Sequence, residues 1–141
     1  MSEHKAILLS VHPKHVVKMF SGEKRLEFRR TWTKHPVSSI IVYATAPTQR
    51  IVATARIKKV HYGSPTALWE LAKQLGGGLS RKELYEYFKG KKEGYAIELE
   101  SISRIPLPVE GKKIMKNFRA PQSFSYVAPE ILSNIEKGIK S

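Results

Sequence analysis

Apolar and polar positions along this chain follow two periods, and the switches between them mark its elements. Ala6-Ile7-Leu8-Leu9-Ser10-Val11 is an apolar run with the length of a buried strand. Pro13 suits the first turn of a helix, with Val16, Val17, Met19 and Phe20 as its apolar stripe. Gly22 ends that helix where a left-handed residue is wanted. From Lys24 to Arg30 the period shortens to two. Leu26 and Phe28 then face a core, while Arg25, Glu27 and Arg29 share the other face. Thr31 to Pro36 reads as a loop, and β-branched Ser39 to Ala44 as a central strand. Pro47-Thr48-Gln49 is a turn, and Arg50 to Tyr62 alternates as a long strand.

Ser64 is a good N-cap, with Pro65 at the first helical position. Leu68, Trp69, Leu71, Ala72 and Leu75 form the apolar side of that helix, which makes Trp69 a core residue. Gly76-Gly77-Gly78 reads as a flexible break. Ser80 and Glu83 predict a capping box for a short helix. Lys89 to Glu93 is a basic turn, and Gly94 to Leu99 alternates as a strand that Ile102 and Ile105 continue or pair with. Pro106-Leu107-Pro108 is expected to break regular structure, and Lys112-Lys113-Ile114-Met115-Lys116 to form a basic loop. Gln122 to Val127 is a possible last strand. Pro129 to Lys140 reads as a terminal helix using Ile131, Leu132, Ile135 and Ile139. The order lacks a βαβαβ rhythm. It predicts an α+β fold of five or six strands, compatible with a small barrel, with helices at its ends.

A length of 141 residues predicts one domain. The polar start, Met1 to Lys5, lacks a signal-peptide core, and no apolar stretch is long enough to span a membrane. A cytoplasmic location is the default expectation. The absence of cysteine excludes disulfides and thiol chemistry. Charge changes the picture most. Lys and Arg outnumber Asp and Glu 25 to 12, for a net charge of +13. Such an excess favours a polyanionic partner, of which nucleic acid is the usual one. Its candidates for surface contact include Arg25, Lys34, Lys58, Lys59, Lys89, Lys91, Lys92 and Arg119.

Most enzyme chemistries find no support. The histidines, His4, His12, His15, His35 and His61, show no helical metal-binding pair, so no metal site is expected. There is no aspartate, no G-x-S-x-G elbow and no phosphate-binding P-loop. Lys24, Glu27 and Arg29 remain. They read either as a surface ion pair or as the lining of a pocket that takes a polar ligand. Glu27 can accept from an exocyclic amine, and Arg29 can meet a phosphate. Trp32, Tyr43, Phe124 and Tyr126 are the candidate stacking faces, with Trp32 equally readable as a packed lid.

Pro13 to Gly22 followed by Gly22-x-Lys24-x-x-Glu27-x-Arg29 resembles the opening motif of the ASCH domain, of the PUA-like superfamily that includes EVE and YTH domains. Val42 to Pro47 with Ile51-Val52-Ala53, Tyr87 to Gly90 with Gly94 to Ile97, and Pro121-Gln122-Ser123-Phe124 resemble its later blocks. The resemblance covers about residues 6–127. It implies a PUA-like β-barrel with flanking helices and a cofactor-free domain that binds nucleic acid, RNA more than DNA, and recognises an accessible or modified base. The implied cleft lies between the first helix and the barrel, lined by Lys24, Glu27, Arg29 and Tyr43, with Gln122, Ser123 and Phe124 nearby. Arg30 and Trp32 join the candidate ligand contacts. Replacing Glu27 and Arg29 should then reduce ligand discrimination and leave the fold intact. Some relatives hydrolyse an acylated cytidine with a lysine, a threonine and a glutamate. Lys24 matches the lysine, but Glu27 stands at the threonine position and no carboxylate lies between Gln74 and Leu79. The reading therefore leans away from an enzyme. If there is one, it is a small hydrolase of a modified nucleoside or RNA using Lys24 and Glu27. A regulatory domain for a small ligand or protein is the third alternative.

Overall fold

The computed structural model describes residues 6–140. His4 and the side chain of Ile139 lie outside the described residues. The chain runs β1 (Ala6–Val11), α1 (Pro13–Ser21), β2 (Leu26–Arg29), β3 (Ser39–Ala44), β4 (Arg50–Gly63), α2 (Pro65–Leu75), α3 (Arg81–Tyr87), β5 (Gly94–Val109), α4 (Gly111–Ile114), β6 (Phe124–Val127) and α5 (Pro129–Lys140). The strands form one curled, half-barrel sheet in the order β2-β5-β4-β3-β1-β6. Only β1 and β3 pair in parallel; the other neighbours are antiparallel. No described helix is long and apolar enough to cross a membrane.

The central strands are buried on both faces, which is why β1 and β3 read as unbroken apolar runs. Ile7, Leu9, Ile40 and Val42 face one core with Val16 and Met19 of α1. Ala6, Leu8, Ile41 and Tyr43 face a second, closed by Leu132 and Ile135 of α5. A third core packs Leu26 and Phe28 of β2 on Leu68 and Ala72 of α2, with Leu84 and Phe88; Trp69 flanks it, half-buried. Local signals end the helices as expected. Gly22 takes a left-handed φ of 85° and donates to the Met19 carbonyl. Ser80 and Glu83 form the capping box.

Three expectations change. Pro106 and Pro108 lie within β5. Ala53 pairs with Arg104 but Ile51 with Val109, so the prolines occupy a register shift where the ladder needs no N–H from them. The basic cluster after Glu110 opens with the short helix α4. The triglycine segment is a fitted strap, not a flexible break. The Gly76 carbonyl accepts from the Arg25 and Leu26 amides at 2.8 and 3.2 Å, and Gly77 bridges to Lys24. A Cβ on Gly77 would lie 2.7 Å from the Phe28 ring and 3.1 Å from Ala72 Cβ. Gly77→Ala is therefore expected to destabilise the protein by about 1–3 kcal/mol through overpacking. Urea unfolding measures this directly, and an unchanged midpoint would show that the strap yields.

Candidate functional site

The turn after α1 gathers the charged residues. Gly22 reverses the chain, so the Lys24 amide reaches the Lys18 carbonyl at 3.0 Å. Along β2, Leu26 and Phe28 enter the third core, and Glu27 and Arg29 take the opposite side. Lys24 Nζ lies 3.6 Å from Glu27 Oε1 and donates to the Gly77 carbonyl at 2.8 Å. Arg29 Nη2 lies 2.8 Å from Glu27 Oε2 and donates to the Ser10 carbonyl at 2.7 Å. One carboxylate is thus clamped between two cations, with Lys24 only 3% and Glu27 only 6% exposed. Burial holds the Lys24 ammonium below its ordinary pKa, and Glu27 opposes that shift.

These three residues line a pocket of about 180 Å³. Ser10 and Val11 close it from the end of β1, His12 and His15 from the start of α1, and Leu79 and Tyr87 from around α3. Two of the lining residues carry a buried side-chain nitrogen without a hydrogen-bond partner among the described residues: Nδ1 of His15 and Nε of Arg29. Burial, then the Lys24 charge, lowers the pKa of His15. Burial raises that of the Tyr87 phenol. With Lys24 protonated, Lys24, Glu27 and Arg29 together carry one excess positive charge, which suits an anionic group. Among the described residues no cluster of three or more His or Glu is placed to hold a metal.

Lys24, Glu27 and Arg29 are therefore brought together, and other predicted residues are not. Tyr43 does not line the pocket. Strand alternation turns it into the second core, where its ring packs 5.2 Å from Phe118. Trp32 flanks the first core and meets Phe124 at 5.8 Å, the packed-lid alternative. Arg30 donates to the Tyr87 and Lys89 carbonyls, tying the end of β2 to the end of α3. Gln122 is exposed. Ser123 sits beside the pocket, its carbonyl accepting from the Ser10 amide, while Ser10 Oγ donates to the Pro121 carbonyl at 2.6 Å. Arg25, Lys34, Lys58, Lys59, Lys89, Lys91, Lys92 and Arg119 are all exposed, and Lys58 lies 3.7 Å from Glu98. Sequence reasoning missed Ser10, His15, Leu79 and Tyr87. For His15 a signal existed: it follows His12 by three residues, one helical turn, at the start of α1.

The comparisons with known proteins bear on the family and the fold. The ASCH domain family model matches residues 9–103. An ASCH domain-containing ribonuclease of Zymomonas mobilis is 28% identical over 131 residues, 91% of this chain and 88% of that protein. The crystal structure of ASCH from Zymomonas mobilis superposes with a TM-score of 0.84 at 27% identity, covering 94% of both chains. A Ureaplasma parvum protein named ATP synthase subunit alpha is 26% identical over 125 residues. That match takes in 89% of this chain but spans only 16% of the length of that protein. With a family match over most of its length and the same curled sheet and flanking helices, the chain belongs to the ASCH domain family.

Proposed function

We propose that this chain is an RNA-binding ASCH domain that takes the base or the ribose phosphate of one unpaired nucleotide into the pocket between α1, β2 and α3. The observation that carries this reading is a buried, charge-clamped carboxylate lining a small pocket of a chain with net charge +13. Exposed lysines and arginines draw the phosphate backbone without regard to sequence. A pocket of about 180 Å³ has room for a base or a ribose phosphate group and none for a duplex. An unpaired strand supplies such a group at the least unpairing and unstacking cost. The Zymomonas mobilis relative, named a ribonuclease, supports RNA as the polymer.

Cleavage of the bound RNA is the second reading. The name of that relative favours it, as does an imidazole on the pocket wall whose Nδ1 has no hydrogen-bond partner among the described residues. The test is a fluorescence-anisotropy titration with single-stranded RNA, single-stranded DNA and duplex DNA at roughly 50 and 200 mM salt. Tighter binding of single-stranded RNA that persists at the higher salt is expected. Equal, weak binding of all three that vanishes with salt would reduce the charge to a generic property and refute the pocket reading.

A further inference from the structure

We propose that His15 takes the proton from a ribose 2′-hydroxyl when RNA is cleaved in this pocket, a role that rests on the cleavage reading above. Elimination among the pocket's own groups leads there. Glu27 has one oxygen 3.6 Å from Lys24 and the other 2.8 Å from Arg29, so accepting a proton would break the clamp. Lys24 is spent on Glu27 and the Gly77 carbonyl. Arg29 presents a guanidinium, which has donors and no acceptor for a proton. Tyr87 is a neutral phenol whose pKa burial raises. His15 lines the same pocket, and its Nδ1 is buried without a hydrogen-bond partner among the described residues, so no contact at that nitrogen fixes the tautomer.

The charges around the ring favour a neutral base. Burial and Lys24, Lys14 and Lys18 disfavour the imidazolium, against the single opposing pull of Glu27. The His12 ring, which also lines the pocket, lies 6.3 Å away, edge-on, and its Nδ1 accepts from the Lys14 amide at 3.1 Å, which puts the proton of the neutral ring on Nε2 and leaves it no free lone pair for the hydroxyl. In the step, the 2′-O–H proton moves to the imidazole and the 2′-oxygen bonds to the adjacent phosphorus. The bond from phosphorus to the 5′-oxygen breaks, and that oxygen takes a proton from water. The products are a 2′,3′-cyclic phosphate and a 5′-hydroxyl end, and the imidazolium returns its proton to the hydroxide so formed.

The experiment compares wild type and His15→Gln on a short single-stranded RNA at single turnover across pH 5–8, with RNA binding followed in parallel. His15→Gln is expected to bind as wild type does and to cleave about 100-fold or more slowly. Wild-type rate should rise with pH along an acidic limb lying below the ordinary histidine value of 6.5, and that limb should vanish in the variant. Added imidazole should restore His15→Ala, which serves if His15→Gln fails to fold. A 2′-deoxy residue at the cut site should block the reaction. Cleavage by His15→Gln within threefold of wild type, or products with 5′-phosphate ends, overturns the role of His15 alone. Wild-type protein that binds RNA and leaves it intact overturns the cleavage reading with it, whereas failure to bind RNA at all overturns the binding reading.

Discussion

Glu27→Ala is expected to lower folding stability by about 3–5 kcal/mol, because it strands a buried ammonium without its counter-charge. Lys24 is 3% exposed and lies on Glu27, the Gly77 carbonyl and the Phe28 ring, with its Nζ 5.1 Å from the ring centroid. Removing the carboxylate leaves Lys24 and Arg29 as like charges in one buried site. The loss has a ceiling, since Lys24 can shed its proton. Holding neutral at pH 7 a lysine whose ordinary value is 10.5 costs about 5 kcal/mol. The sign of the pH dependence follows. The folded state binds fewer protons than the unfolded one below 10.5, so the stability of the variant rises with pH toward that value. The reverse deletion is milder. Lys24→Met leaves Glu27 still paired with Arg29 at 2.8 Å and fills the same apolar slot. Urea titrations of both variants at pH 7 and pH 9.5 measure the asymmetry. Equal losses, or a Glu27→Ala loss below about 1 kcal/mol, would show that water reaches Lys24. The sequence alone suggests that Glu27 and Arg29 act on ligand discrimination with the fold intact. Burial changes that for Glu27, so an alanine there tests stability and recognition together.

Phe88→Ala is expected to lower stability by a similar amount, about 3–5 kcal/mol, or roughly 10–15 °C in Tm. Phe88 is 1% exposed and meets Phe28 edge to face at 6.1 Å and 90°. A Cβ on Gly94 would lie 2.2 Å from its ring, so the first residue of β5 rests directly on its face. That strand is held by pairing Gly94 with Gly63 and Tyr95 with Tyr62, and it cannot slide into the vacated space. A cavity that stays open carries both the lost transfer energy and the lost contacts. The unfolding midpoint should fall at unchanged m-value. A loss under about 1 kcal/mol would mean that α3 collapses onto β2.

Much of the architecture was legible because it is written in local chemistry. The period-two run from Leu26 to Arg29, the capping box of Ser80 and Glu83, and the glycine stop at Gly22 each depend on neighbours within a few residues. Such signals survive without tertiary context. The proline run at 106–108 misled because a proline reads as a breaker, and whether β5 bulges there is decided by β4 across the ladder. Gly76 to Gly78 misled for a related reason. Glycine's freedom predicts a loose segment, yet the absent side chains admit Phe28 and leave the carbonyls to the Arg25 and Leu26 amides and to Lys24.

The candidate site divides the same way. By itself the sequence determined that Glu27 and Arg29 share one strand face, that Lys24 stands three residues before Glu27, and that the surface is strongly basic. Alternation and composition suffice for those statements. Only the tertiary structure decided that the three are buried together, that His15 and Tyr87 complete the pocket, and that Tyr43 turns away into the second core. Burial and convergence come from strands and helices distant in the chain closing over one another, and the dielectric that shifts Lys24 and His15 exists only once they have closed.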